Sequence, residues 1–165
     1  MPKPSSPSPL GRSVAAQVRL AHNYLRDSRA LAEIGSRTAA TMLFQAVEAA
    51  LIAVRTSEVI DSPHRSTQHQ LGVMADGLPD ENPLKAAFKD LEHLTGYATT
   101  YRYALPSGRI GPPPSAADLA SWTEAAAKLV AACVEEFGVN LADENSAASR
   151  PQPFRDFTPG RRPGG

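Results

Sequence analysis

Between Ser36 and Glu58 the chain offers apolar side chains around most of a helical circumference. Ala40, Leu43, Phe44, Val47, Leu51 and Val54 recur at helical spacing, and Ala39, Ala46, Ala49, Ala50 and Ala53 fill the gaps between them. A helix that is apolar on more than one side is stable in water only when several neighbours cover it. This segment therefore predicts the central helix of a helical domain. Glu48 is its conspicuous exception. The longest apolar run, Ala39 to Val54, carries Gln45 and Glu48 and falls short of the ~20 residues a membrane span needs. The opening MPKPSSPSPLGR has no apolar stretch of the signal-peptide kind. Together these predict a soluble, cytoplasmic protein with no membrane partner.

Period-two alternation never lasts long enough to predict a strand. A first helix is expected over about Ser13 to Glu33, with Val14, Val18, Ala21, Leu25 and Leu31 inward, Arg19, Arg26 and Arg29 in solvent, and Gly35 as its stop. Thr67 to Asp76 predicts a short helix through Leu71, Val73 and Met74. Asp80-Glu81-Asn82-Pro83 is a start signal, with Asn82 as cap and Pro83 in the first helical position. It predicts a third long helix to about Tyr103, with Leu84, Ala87, Phe88, Leu91, Leu94, Ala98 and Tyr101 inward. After a Gly/Pro loop from Ser107 to Pro114, Ser115 and Asp118 form a capping box. The fourth helix buries Leu119, Trp122, Ala126, Leu129, Cys133 and Phe137, and Gly138 ends it. The expected fold is all-α, a bundle of four long helices plus a short one over residues 12–141. The Pro/Ser-rich 1–11 and the Pro/Gly/Arg-rich 142–165 are expected to be disordered tails.

A chain of 165 residues suits one domain. Lys+Arg 17 against Asp+Glu 17 argues against a globally basic nucleic-acid coat, while leaving room for a local patch. A single Cys excludes a disulfide framework and any multi-cysteine zinc site. Asp90-x-x-His93 occurs once where a di-iron bundle needs such a motif twice, and His64 and His69 have no third ligand nearby, so no metal is predicted. Cys133 falls on a buried face and reads as core. No Gly-x-Ser-x-Gly, Walker or Gly-x-Gly-x-x-Gly loop is present, so no cofactor is expected.

Two polar clusters remain. Pro63 to Leu71 contains His64, Arg65 and His69, which can donate to phosphate or base edges. Tyr97 to Arg109 contains Tyr101, Arg102 and Arg109, where rings beside arginines can stack bases and hold phosphates. These six residues are the candidate ligand-binding set. The bland alternative makes the tyrosines core residues with polar tips and the arginines partners of acids.

The order of these features resembles the HEPN domain, a family named for nucleotide binding in higher eukaryotes and prokaryotes. The likeness lies in Ala21-His22-Asn23-Tyr24-Leu25-Arg26-Asp27-Ser28-Arg29-Ala30-Leu31, in the alanine-rich Thr41 to Leu51, in His69-Gln70-Leu71, and in Tyr101-Arg102-Tyr103, where many relatives read Arg-Tyr-Pro. It runs from about Ser13 to Phe137. The resemblance implies an all-α bundle that pairs as a homodimer, found in toxin–antitoxin and defence loci beside a small nucleotidyltransferase-type partner. Relatives with metal-independent RNase activity carry Arg-x4–6-His. Here Arg65 and His69 are separated by three residues, Arg19 and His22 by two, and Arg55 and His64 by eight.

The leading expectation is therefore a non-catalytic HEPN-like module binding a nucleotide, nucleic acid or protein partner through His64, Arg65, His69, Tyr101, Arg102 and Arg109. One alternative is a metal-independent ribonuclease in which His69 moves a proton and Arg65 stabilises the developing phosphorane charge. On a helix those two would stand one turn apart and meet one phosphate. The other is an antitoxin-like structural partner that uses the apolar circumference of the second helix.

Overall fold

The computed structural model describes residues 6–61, 67–98 and 103–157. Among them every regular element is helical: α1 (Pro9–Glu33), α2 (Thr38–Ser57), α3 (Leu71–Asp76), α4 (Lys85–Asp90), a 3-10 turn (Glu92–Leu94), α5 (Thr95–Ala98) and α6 (Ala116–Glu136). α2 is the hub. It packs most extensively on α1, then on α6, and its remaining flank meets α3, the 3-10 turn and α5. Ala39, Ala46, Ala50, Leu51, Ala53 and Val54 are all fully buried along it. By length and composition α2 alone among the described helices could cross a membrane, but 67% of its apolar window is buried inside the fold.

Local chemistry sets the helix limits. Ser8 Oγ accepts the Gly11 amide at 3.0 Å with Pro9 in the first turn, so α1 begins inside the stretch expected to be a disordered N-terminal tail. Ser115 Oγ accepts the Asp118 amide at 3.1 Å, as the capping box predicts. All three long helices end in the same pair of backbone bonds, the Schellman motif. These run from Ser36 N to Leu31 O, from Ile60 N to Arg55 O and from Val139 N to Val134 O, each with its inner companion. Gly35 and Gly138 supply the left-handed residue at two of these ends, but at the end of α2 it is Val59, at φ 56°.

Among the described residues three long helices stand where four were expected. Asn82 closes the turn ahead of the helix, its Oδ1 accepting the Leu84 amide at 3.0 Å, but it does not cap α4, which begins at Lys85 with Leu84 in the cap position and Pro83 in the turn. The run beyond it does not stay α-helical. Phe88, Leu91 and Leu94 are all buried at steps of three, and a 3.6-residue turn would rotate the last of them off the core. The chain tightens instead, with Leu91 N donating to Phe88 O and Leu94 N to Leu91 O at 3.1 Å each. Residues 99–102 of the expected helix lie outside the described residues.

The second correction concerns the C-terminal segment. Residues 142–157 are packed chain, not a free tail, and the folded unit continues past the expected boundary at 141. Ala148 N donates to Gly11 O at 2.9 Å, and Arg150 N to Phe137 O at 3.0 Å. The Arg150 guanidinium donates to the Glu135 and Glu136 carbonyls at the end of α6, where a cation is favoured. Arg19, expected in solvent, reaches across to the Asn140 carbonyl at 2.9 Å and to Ser146 Oγ. Phe154 stacks edge-on against Phe137 at 5.2 Å. Arg155 then pairs with Glu58 at 2.9 Å, and Asn82 donates to the same carboxylate. Hydropathy patterning misses this segment because its anchors are a few side chains and backbone amides without a period.

Two predictions follow from these ends. Val59 is 81% exposed, so replacing it removes little packing. A left-handed β-branched residue costs roughly 1–2 kcal/mol, while glycine adds about 0.5–1 kcal/mol of chain entropy to the unfolded state. Val59→Gly should therefore stabilise the protein by about 0.5 kcal/mol in urea denaturation, and a loss would mean that Val59 has contacts beyond its own turn. Second, the hydrogen bond from Arg155 holds the Glu58 carboxyl below its usual range, against burial, which raises it. A carboxyl lowered by folding contributes stability that is full above its unfolded value and disappears as pH falls through the folded one. Melting temperatures taken from about pH 7 down to about pH 3 should show Arg155→Ala well below wild type at the neutral end, with the gap closing on acidification.

Candidate cleft between the first two helices

Side chains of α1 and α2 line a cleft of about 360 Å³. Gln17, Leu20 and Tyr24 stand at steps of three and four on α1, so one face of that helix makes the first wall. Thr41, Phe44, Gln45, Glu48, Ala49 and Ile52 make the second, and Ala98 at the end of α5 closes one side. Phe44 and Ala49 are buried in the floor. Thr41 hydroxyl donates to the Tyr97 carbonyl at 3.4 Å, tying α5 to this rim. The lining is mixed: apolar and aromatic surfaces, with amide, hydroxyl, carboxylate and imidazole groups among them.

His69 completes the cleft from the connection before α3. It sits in a turn closed by Gln70 N donating to Thr67 O at 3.1 Å. Its backbone is left-handed, at φ 72°, in a turn position that favours glycine or asparagine. Leu71, two residues on, is fully buried and donates its amide to Thr95 Oγ1 at 3.1 Å. With the chain anchored there, the His69 ring reaches back to α2, its Nδ1 2.7 Å from Glu48 Oε2. Glu48 is mostly covered (15% side-chain exposure) and His69 is half-exposed at 55%. The carboxylate orients the imidazole, the arrangement that fixes a histidine's tautomer for hydrogen bonding or proton transfer.

Of the six residues expected to form the site, the structure brings His69 to the cleft. Arg109 does not reach it. It is exposed on the loop of residues 103–115, where its carbonyl accepts the Leu105 amide at 2.7 Å. His64, Arg65, Tyr101 and Arg102 lie outside the described residues. Tyr103 borders a neighbouring hollow with Arg37, Thr38, Met42 and Ile110, and that hollow shares Thr41 and Gln45 with the cleft. Gln17, Tyr24, Phe44, Gln45 and Glu48 were not singled out as site residues. For Glu48 the signal was present in its place on an alanine-rich helix, since a carboxylate that is mostly covered needs a partner.

Cys133 and His93 are not among the residues that line the cleft. Burial pushes the Cys133 thiol up to about 12, which leaves essentially no thiolate at neutral pH. His93 packs its ring on Trp122 at 4.7 Å, with Tyr97 on the same indole at 6.0 Å. Among the described residues no group of three His, Cys, Asp or Glu is placed to hold a metal ion.

The left-handed backbone at His69 is a local cost of order 1 kcal/mol, while the imidazole–carboxylate contact returns about 0–1 kcal/mol and is the partner of the mostly covered Glu48. The two effects oppose, so His69→Gly should melt close to the wild-type temperature. A drop of several degrees would make the Glu48 contact a structural tie. No family model, curated protein or solved structure matches this chain, so the reading of the site rests on its geometry.

Proposed function

We propose that the chain is a HEPN-like helical binding module that takes a nucleotide in the cleft between α1 and α2 and does not cleave it. The observation that carries this reading is the make-up of the cleft. Its volume of about 360 Å³ is in the range of small-molecule sites, ~300–1,000 Å³. Tyr24, partly exposed on the wall above the buried Phe44, gives the flat apolar surface a base packs on. The amides of Gln17 and Gln45 each carry donors and an acceptor, the groups that read a base edge. The Glu48–His69 pair supplies further polar groups at the rim. Against ribonuclease chemistry stands the absence of the Arg-x4–6-His spacing.

One observation favours the second reading, a metal-independent ribonuclease using Arg65 and His69. A carboxylate 2.7 Å from an imidazole is how a general acid–base histidine is commonly held. The Arg65 guanidinium would then stabilise charge on the phosphorane.

Incubating the protein with ATP and with labelled single-stranded RNA, without metal, decides between them. ATP binding should weaken at least tenfold, about 1.4 kcal/mol, in Tyr24→Leu, which keeps apolar packing on the core, with the RNA left intact. Cleavage by wild type that disappears in Arg65→Ala/His69→Ala would replace this reading with the ribonuclease. The absence of both binding and cleavage would overturn both readings.

A further inference from the structure

Arg55 is the one basic side chain buried among the described residues, at 8% exposure. Its guanidinium donates to the Met74 carbonyl at 2.8 Å and to the Asp61 carbonyl at 2.9 Å. Both acceptors are neutral. Among the described residues no carboxylate oxygen lies within 4 Å of it. A buried cation is ordinarily paired with an anion, because carbonyl dipoles replace only part of the water it has lost. Burial accordingly lowers its affinity for its proton.

This guanidinium borders a cavity of about 140 Å³ with Thr56, Gln68 and His69 on its walls. The Gln68 amide is a donor that tolerates an anion. Two acids also border it: Glu48, already held by His69, and Asp61, whose carbonyl is used by Arg55. The guanidinium is also fixed in place. A Cβ on Gly77 would stand 2.5 Å from its Nη1, so the chain has no side chain where the cation lies. Glu48, Ile52 and His69 line both this cavity and the cleft, so the two spaces adjoin at the His69 ring.

From these observations we infer that the cavity beside Arg55 is an anion pocket, which receives the phosphate of a nucleotide whose base lies in the α1–α2 cleft. The inference rests on the nucleotide reading above and adds Arg55 as the residue that holds the phosphate. Arg suits the role because its planar fork offers several donors at once, and two of its N–H groups are already anchored to carbonyls.

Calorimetry on the full chain at constant ionic strength, with AMP, adenosine and inorganic phosphate as separate titrants, tests it. AMP should bind wild type at least tenfold more tightly than adenosine. Arg55→Met should remove that advantage while leaving adenosine affinity unchanged. If Arg55→Met does not fold, Gly77→Ala serves instead, because it displaces the guanidinium without removing the charge, and it should weaken AMP selectively. Equal affinities for AMP and adenosine would overturn the inference, as would a folded variant that keeps the full preference for AMP. If neither nucleoside nor nucleotide binds, the nucleotide reading fails, and inorganic phosphate then judges the pocket alone. A rise in wild-type melting temperature with phosphate that is absent in the variant would support it, and no rise would overturn it.

Discussion

The burial of α2 on several sides is the constraint from which the remaining architecture follows. A helix with alanine on most of its circumference gains little from any one contact, so it must be covered from several directions at once. Small side chains at 39, 46, 50 and 53 allow that, because they let neighbouring backbones approach closely. α1 and α6 take two sides. The third flank falls to the run from Leu84 to Ala98, which is broken into short pieces by its own buried residues at steps of three. Short pieces cover α2 less completely than a straight helix would. The cleft over Thr41, Gln45, Glu48 and Ile52 lies on that incompletely covered side.

The same logic explains why the C-terminal segment packs on the helices. α6 ends at Glu136 with carbonyls at the negative end of the helix, and α2 ends at Ser57 close to the covered carboxylate of Glu58. Both ends need positive partners. Arg150 meets the first and Arg155 the second, while Phe154 places apolar surface on Phe137 between them. An arginine-rich stretch that reads as solvated in one dimension thus becomes a strap across two helix ends. Glu58 also joins the strap to the start of the third helical run through Asn82.

At the site, most of the polar chemistry comes from residues far apart in the chain. Glu48 and His69 are 21 positions apart. They meet because Leu71 is driven into the core and a turn with a left-handed residue reverses the chain just before it. Arg55 and Gly77 are similarly complementary, the one large and charged, the other without a side chain. Glu48 was legible as an anomaly on an apolar helix, and His69 as a polar residue in an irregular connection. That they form one pair was not legible, since neither composition nor period encodes the path of a loop. Nothing in the sequence marks Tyr24 and Gln17 as lining a site, and only the placement of α1 against α2 turns that face into a wall.

The sequence by itself determined the class and several ends of the elements: all-helical, a central α2, the cap at Ser115, and stops at Gly35 and Gly138. These features depend on interactions within a few residues, between a cap and the next turn or between successive faces of one helix. Tertiary structure decided the break in the third long helix, the strap of residues 142–157, and the pairing of Glu48 with His69. Each of those depends on what lies across the core, where burial and charge compensation between distant segments outweigh local preference.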